Sequence, residues 1–253
     1  MSGLKGKVAL VTGAGQGVGQ GIALALATEG VDVAVVGRTE AKLVDTAEQL
    51  RARGVRAETH EGDVMDTDSI PGLVDRVAEQ MGRLDIVVNN AYSGTLGPLL
   101  QTDMRQFTKG FVSGPFAAFA FMKAAHPHLK AAGGGSIINL VTSAMVRWDL
   151  SNYGAYAAAK SALRSVSRTA AVEWAPDGIR VNSIAPHALS PGLKWWIENN
   201  PEEAEEFVAA IPMKYIGDPE TDIGRAVVAL CGEDMRYLTG ATIPLDGGQA
   251  HFG

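Results

Sequence analysis

The segment Thr12-Gly13-Ala14-Gly15-Gln16-Gly17-Val18-Gly19 joins an apolar β-branched run at 8–11 to an alanine- and leucine-rich helical stretch at 18–28. Glycines let a backbone turn sharply, so the segment reads as a tight strand-to-helix connection. Outward from it, β-branched runs recur at 31–36, 86–88, 137–141 and 179–184, with a weaker one near 55–59. These runs are nearly continuous in apolar residues rather than alternating, the pattern of strands covered on both faces. Helical stretches at 41–53 and 68–80 lie between them. The first sets Leu43, Ala47 and Leu50 at three- and four-residue spacing, one apolar face. Strand, helix, strand in this order predicts parallel strands joined by right-handed crossovers: a doubly wound parallel α/β sheet.

The 253 residues suffice for one large core, and no linker, repeat or low-complexity tract divides them, so a single domain over 1–253 is expected. Hydrophobic residues at 46% and charged residues at 20% fit a compact protein, not a disordered one. A net charge of -6 argues against a nucleic-acid partner. No apolar run approaches the roughly 18 residues that span a bilayer, and 8–11 is too short for a secretory signal. A cytoplasmic protein with no membrane partner is the expectation. Cys231 sits in the apolar stretch 227–231 and reads as buried filler. His126 and His128 flank Pro127 without an acid or cysteine cluster, so no metal site is expected. The irregular part is 186–218, with four prolines, Trp195 beside Trp196, and Glu202, Glu203, Glu205 and Glu206. Pro201 followed by acids reads as a first helical turn. The whole segment is read as a substrate-loop insertion over the active site.

The glycine spacing is Gly13-x-x-x-Gly17-x-Gly19, not the literal G-x-G-x-x-G. Its setting between a strand and a helix nevertheless reads as a dinucleotide site, because a pyrophosphate can then approach the helix amides. In Rossmann-type folds an acid about 20 residues on binds the ribose of NAD, and an arginine accepts the 2′-phosphate of NADP. Here Gly37 takes the acid's place, Arg38 follows, and Asp32 stands at the far end of the strand. The sequence favours NADP(H) over NAD(H).

Tyr156 and Lys160 lie four apart in Gly154-Ala155-Tyr156-Ala157-Ala158-Ala159-Lys160, on one face of a helix. A phenol titrates near pH 10, and a nearby cation lowers that value. Ser143 precedes the pair by thirteen residues, just past the run at 137–141. Together with Gly62-Asp63-Val64, Asn89-Asn90-Ala91, Ile179-Arg180-Val181-Asn182 and Asp246-Gly247-Gly248, these motifs resemble, in order and over nearly the whole chain, the short-chain dehydrogenase/reductase family.

The resemblance implies an oxidoreductase with Ser143, Tyr156 and Lys160 as catalytic residues. Ser143 would hold the reacting oxygen, Tyr156 would move the proton, and Lys160 would lower its pKa and hold the nicotinamide ribose. Gly13, Gln16, Gly17, Val18, Gly19, Arg38, Asp63, Val64, Asn90, Lys160 and Pro186 would line the cofactor. The chain departs from the family at Tyr92, where glycine is usual, at Phe111, which replaces an asparagine, and at His187 after Pro186. The alternative is a regulatory or structural dinucleotide-binding protein with a weakened site; retention of serine, tyrosine and lysine together favours the enzyme. Tyr92, Met145, Trp148, Trp195 and Trp196 would border the nicotinamide end and select a bulky, weakly polar ketone or secondary alcohol. The apolar run 116–121 predicts a homo-oligomer, a tetramer in this family.

Overall fold

In the computed structural model, which describes residues 2–147 and 152–250, the predicted sheet forms with seven parallel strands. These are β1 (Val8–Thr12), β2 (Asp32–Gly37), β3 (Ala57–Glu61), β4 (Ile86–Asn89), β5 (Gly135–Leu140), β6 (Ile179–Pro186) and β7 (Thr242–Leu245). Their spatial order is β3-β2-β1-β4-β5-β6-β7. The order reverses between β1 and β4, and ligands of such sheets bind in the crevice beyond the strand ends at that point.

Among the described residues there are nine α-helices: α1 (Gly17–Thr28), α2 (Glu40–Arg51), α3 (Ile70–Met81), α4 (Met104–Phe111), α5 (Ala117–Ala131), α6 (Gly154–Trp174), α7 (Pro191–Asn199), α8 (Pro201–Ala210) and α9 (Arg225–Cys231). Strand side chains alternate between two cores. Ala9 and Val11 of β1 pack with α1, α2 and α9, and Val8 and Leu10 pack with α3 and α5. All four are fully buried, which is why the run looks continuously apolar in sequence. Leu43, Ala47 and Leu50 form the buried face of α2 as their spacing predicts. Cys231 is buried, and burial pushes its thiol up to about 12.

Two parts differ from the sequence expectation. No run marks β7, because Thr242-Ile243-Pro244-Leu245 is four residues long with a proline inside; as an edge strand it tolerates the missing N–H. The segment 186–218 is not irregular but holds α7 and α8. Pro191 and Pro201 each occupy a first turn, and Ser190 caps α7 by accepting from the Leu193 N–H. The excursion leaves and returns at one place, where Ala188 bridges Gly217 and the Leu189 N–H donates to the Gly217 carbonyl at 2.9 Å.

Candidate active site

A cleft of about 470 Å³ opens over the strand ends around the glycine turn. Gly13 and Gly17 take φ of +66° and +60°, conformations that side-chain-bearing residues rarely adopt. Among the described residues no side chain caps the start of α1, whose first residues Gly17 and Val18 line the cleft. A pyrophosphate fits such a cradle. Gly13, Gln16, Gly17, Val18, Arg38, Asp63, Val64 and Asn90 all line the cleft, so most of the predicted cofactor residues meet there. Three do not reach its wall. Gly19 is buried against Asn90 and the Gly13 backbone, and so serves helix-to-strand packing. Pro186 ends β6, and Ser190 and Pro191 form the wall on that side. Lys160 lies behind the wall, against a small inner cavity.

Asn90 faces inward as well as outward. Its Nδ2 donates to the carbonyls of Thr12 at 2.8 Å and Gly13 at 3.2 Å. The Thr12 hydroxyl accepts from the Asn90 and Ala91 N–H groups, which clasps β1 to β4 across the crevice. At the other rim, Arg38 is exposed beside Gly37 and Thr39. Lys42, which sequence reasoning missed, lines the same rim and donates to Gln16 Oε1 at 2.5 Å. It was within reach of the sequence as a cation one turn into the helix after Arg38. Asp32 is occupied at the far end of β2, where Arg56 Nε donates to it at 2.7 Å.

The catalytic candidates converge where β5 ends. Lys160 Nζ donates to the Leu140 carbonyl at 2.6 Å, which ties α6 to that strand. Burial pushes this lysine down to about 7. Burial raises the Tyr156 phenol, against a hydrogen bond with the Thr142 side chain that lowers it. Thr142, next to Ser143 in the chain, is the hydroxyl that acts on the phenol here. Ser143 instead donates to Asp246 Oδ2 at 2.5 Å, and Asp246 is buried. Asp246 stands in the Asp246-Gly247-Gly248 motif, but only the fold brings it to a serine 103 residues away.

The residues expected to border the substrate separate. Tyr92 lines the cleft. Met145 packs into a core cluster with Val141, Leu163 and Ala185. Trp195 is 64% exposed, whereas Trp196 packs edge-on against Phe207 of α8, so the neighbouring rings diverge as helical geometry requires. Trp148 lies outside the described residues. Phe111 stacks with Phe107 and Phe116 at the start of a π-helical turn, Val112–Phe116, that contains Pro115. His187 packs edge-on against Phe207, shares a hydrogen bond with Gln249 at 2.9 Å, and is lowered by burial. His126 pairs with Asp177 and His128 with Asp75.

A family model described as Enoyl-(Acyl carrier protein) reductase matches residues 13–250. The chain is 38% identical over 251 residues to a 12alpha-hydroxysteroid dehydrogenase of Clostridium sp., covering 96% of each chain. Among solved structures it is similar to a 7 alpha-hydroxysteroid dehydrogenase complexed with NADH and 7-oxo glycochenodeoxycholic acid. That match has 29% identity and a TM-score of 0.91, over 98% of this chain and 95% of that one. It is also similar to L-sorbose reductase from Gluconobacter frateurii complexed with NADPH and L-sorbose, with 29% identity and a TM-score of 0.90 over 98% of each chain. Fold, cleft and relatives agree: the chain belongs to the short-chain dehydrogenase/reductase family of NAD(P)-dependent oxidoreductases.

Proposed function

We propose that this enzyme transfers hydride between NADP(H) and a bulky, weakly polar ketone or secondary alcohol, with Tyr156 as general acid and base. The observation that carries the reading is the grouping of Tyr156, Lys160, Thr142 and Ser143 where α6 meets the end of β5, beside the glycine cleft. Bound in the cleft, the dinucleotide would supply or accept the hydride. Gly13, Gln16, Gly17, Val18 and the first amides of α1 would hold its pyrophosphate, and Asp63 and Val64 its adenine. Arg38 and Lys42, exposed on one rim, give two cations for a 2′-phosphate. Gly37 leaves that rim without the carboxylate that would repel it.

In reduction, Tyr156 gives its proton to the ketone oxygen, and in oxidation it takes the proton from the alcohol. Burial keeps the phenol protonated, the state that reduction needs. Ser143 would hold the reacting oxygen once its proton, given to Asp246 in this structure, turns to the substrate. The Lys160 ammonium favours the phenolate as it forms.

Apolar side chains at the same end of the sheet support a bulky substrate. Leu96, Leu99, Leu100 and Met104 are exposed on the segment after β4, and Trp195, Met213 and Tyr215 on the excursion after β6. That excursion is the substrate loop of this reading. Relatives named hydroxysteroid dehydrogenases point to the same class, a large alicyclic alcohol. A cytoplasmic homotetramer is part of the proposal; exposed Phe116 and Phe119 on and beside α5 support association. The test is steady-state oxidation of NADPH and NADH against ketones graded from small oxoacids to polycyclic ones. kcat/KM should rise with apolar size and be higher with NADPH. A small anionic ketone that performs as well or better would overturn the substrate reading.

A further inference from the structure

Lys160 is 3% exposed and, among the described residues, has no carboxylate against it. Its own helix turns Tyr156 toward it, β5 offers the Leu140 carbonyl, and the segment after β4 offers Tyr92. The cavity behind it is walled by the neutral groups Thr12, Asn89 and Ser113. Burial alone pushes the lysine down to about 7, against retention of its charge. The ammonium lies 4.8 Å over the centroid of the Tyr92 ring and 5.8 Å from that of Tyr156. A ring face attracts a cation, most strongly where water is excluded.

The Tyr92 ring is held in a built niche. A Cβ on Gly110 would stand 2.8 Å from the Tyr92 hydroxyl and one on Gly114 3.4 Å from the ring, and a Cβ on Gly94 would overlap the hydroxyl. Glycines before α4, within it and in the π-helical turn thus leave room for one ring. Tyr92 meets Tyr156 edge-on at 5.0 Å between centroids. Burial, with Tyr156 adding to it, pushes the Tyr92 phenol up to about 12, so it presents a neutral face throughout the working range.

We infer that Tyr92 is a positioning residue, whose ring face keeps the Lys160 ammonium protonated and dry beside Tyr156. The inference rests on the reading of Tyr156 and Lys160 as the proton-transfer pair. It assigns a task to the ring that stands where the resemblance implies glycine.

The test is a pH titration of the Lys160 side chain by NMR in protein labelled with 13C-lysine, the signal assigned by its loss in Lys160→Arg. Tyr92→Phe keeps the ring face and should leave the Lys160 midpoint where the parent has it. Tyr92→Leu fills the niche without a ring face and should lower the midpoint by about one pH unit. The acid limb of kcat/KM for alcohol oxidation should then move to higher pH in Tyr92→Leu alone, since a less charged lysine favours the phenolate less. Should the leucine variant fail to fold by circular dichroism, Tyr92→Met replaces it with the same expectation. A midpoint unchanged in the leucine or methionine variant overturns the inference, and so does an equal shift in Tyr92→Phe. The NMR readout needs no turnover. An inactive parent, or a fully active Tyr156→Phe, would therefore count against the proton-transfer reading and not against the Tyr92–Lys160 contact.

Discussion

Arg38 and Lys42 stand exposed at one rim of the cleft, and Gly37 at the end of β2 takes the place of the acid that would bind the ribose of NAD. Replacing Gly37 with Asp and Arg38 with Ala should reverse the cofactor preference. Hydrogen bonds to charged groups contribute about 1.5–3 kcal/mol, so the ratio of NADPH to NADH dissociation constants should change by roughly 10- to 100-fold. Calorimetric titration of both cofactors checks it, and an unmodified protein that binds NADH more tightly would refute the NADP(H) reading. Arg38 was legible in the sequence because its role follows from position after a strand. Lys42 was passed over, since its approach to Gln16 depends on how closely α2 packs on the glycine turn. There a Cβ on Gly15 would meet the Lys42 Cβ at 3.0 Å. Asp246 shows the same limit more strongly, because the serine it holds is contributed by a different strand end.

Glycine inside α1 gives the clearest disagreement between local and tertiary preference. On helix propensity, Gly21→Ala should stabilise by about 1 kcal/mol. In the fold, an added Cβ at Gly21 would overlap the backbone carbonyl of Pro219, and a Cβ at Gly224 would stand 2.6 Å from the Ala25 Cβ. The two glycines let α1 and the π-helical turn Pro219–Gly224 touch backbone to backbone. Overpacking against backbone costs about 1–3 kcal/mol or more, so Gly21→Ala should lower Tm by roughly 2–10 °C. A thermal melt that rises instead would show that the turn yields freely. Strands β1, β4 and β5 were legible because burial on both faces leaves an unbroken apolar run. β3 gave a weak signal since Glu58 and Glu61 of this edge strand are exposed, and β7 gave none. The helices of 186–218 were half legible: the acids after Pro201 marked α8, whereas α7 begins with Pro191-Gly192 and carries no acid in its first turn.

At the scale of the molecule, the doubly wound sheet brings the ends of β1, β4, β5 and β6 to one crevice, so residues from 13 to 246 share a site. The apolar run at 116–121 is divided by its helix. Ala117, Ala118 and Phe121 are buried, while Phe116 is 54% and Phe119 47% exposed, an outward apolar face that a partner copy would cover. Light scattering at micromolar concentration should give a particle several times 26.5 kDa, and a monomer would refute the association. The central claim is that Tyr156 moves the proton. Its most direct test compares NADPH oxidation with a bulky alicyclic ketone in the parent and in Tyr156→Phe, with NADPH affinity measured in both. The account predicts unchanged cofactor affinity and turnover lowered by about 10²- to 10⁴-fold; turnover within a few-fold of the parent would contradict it.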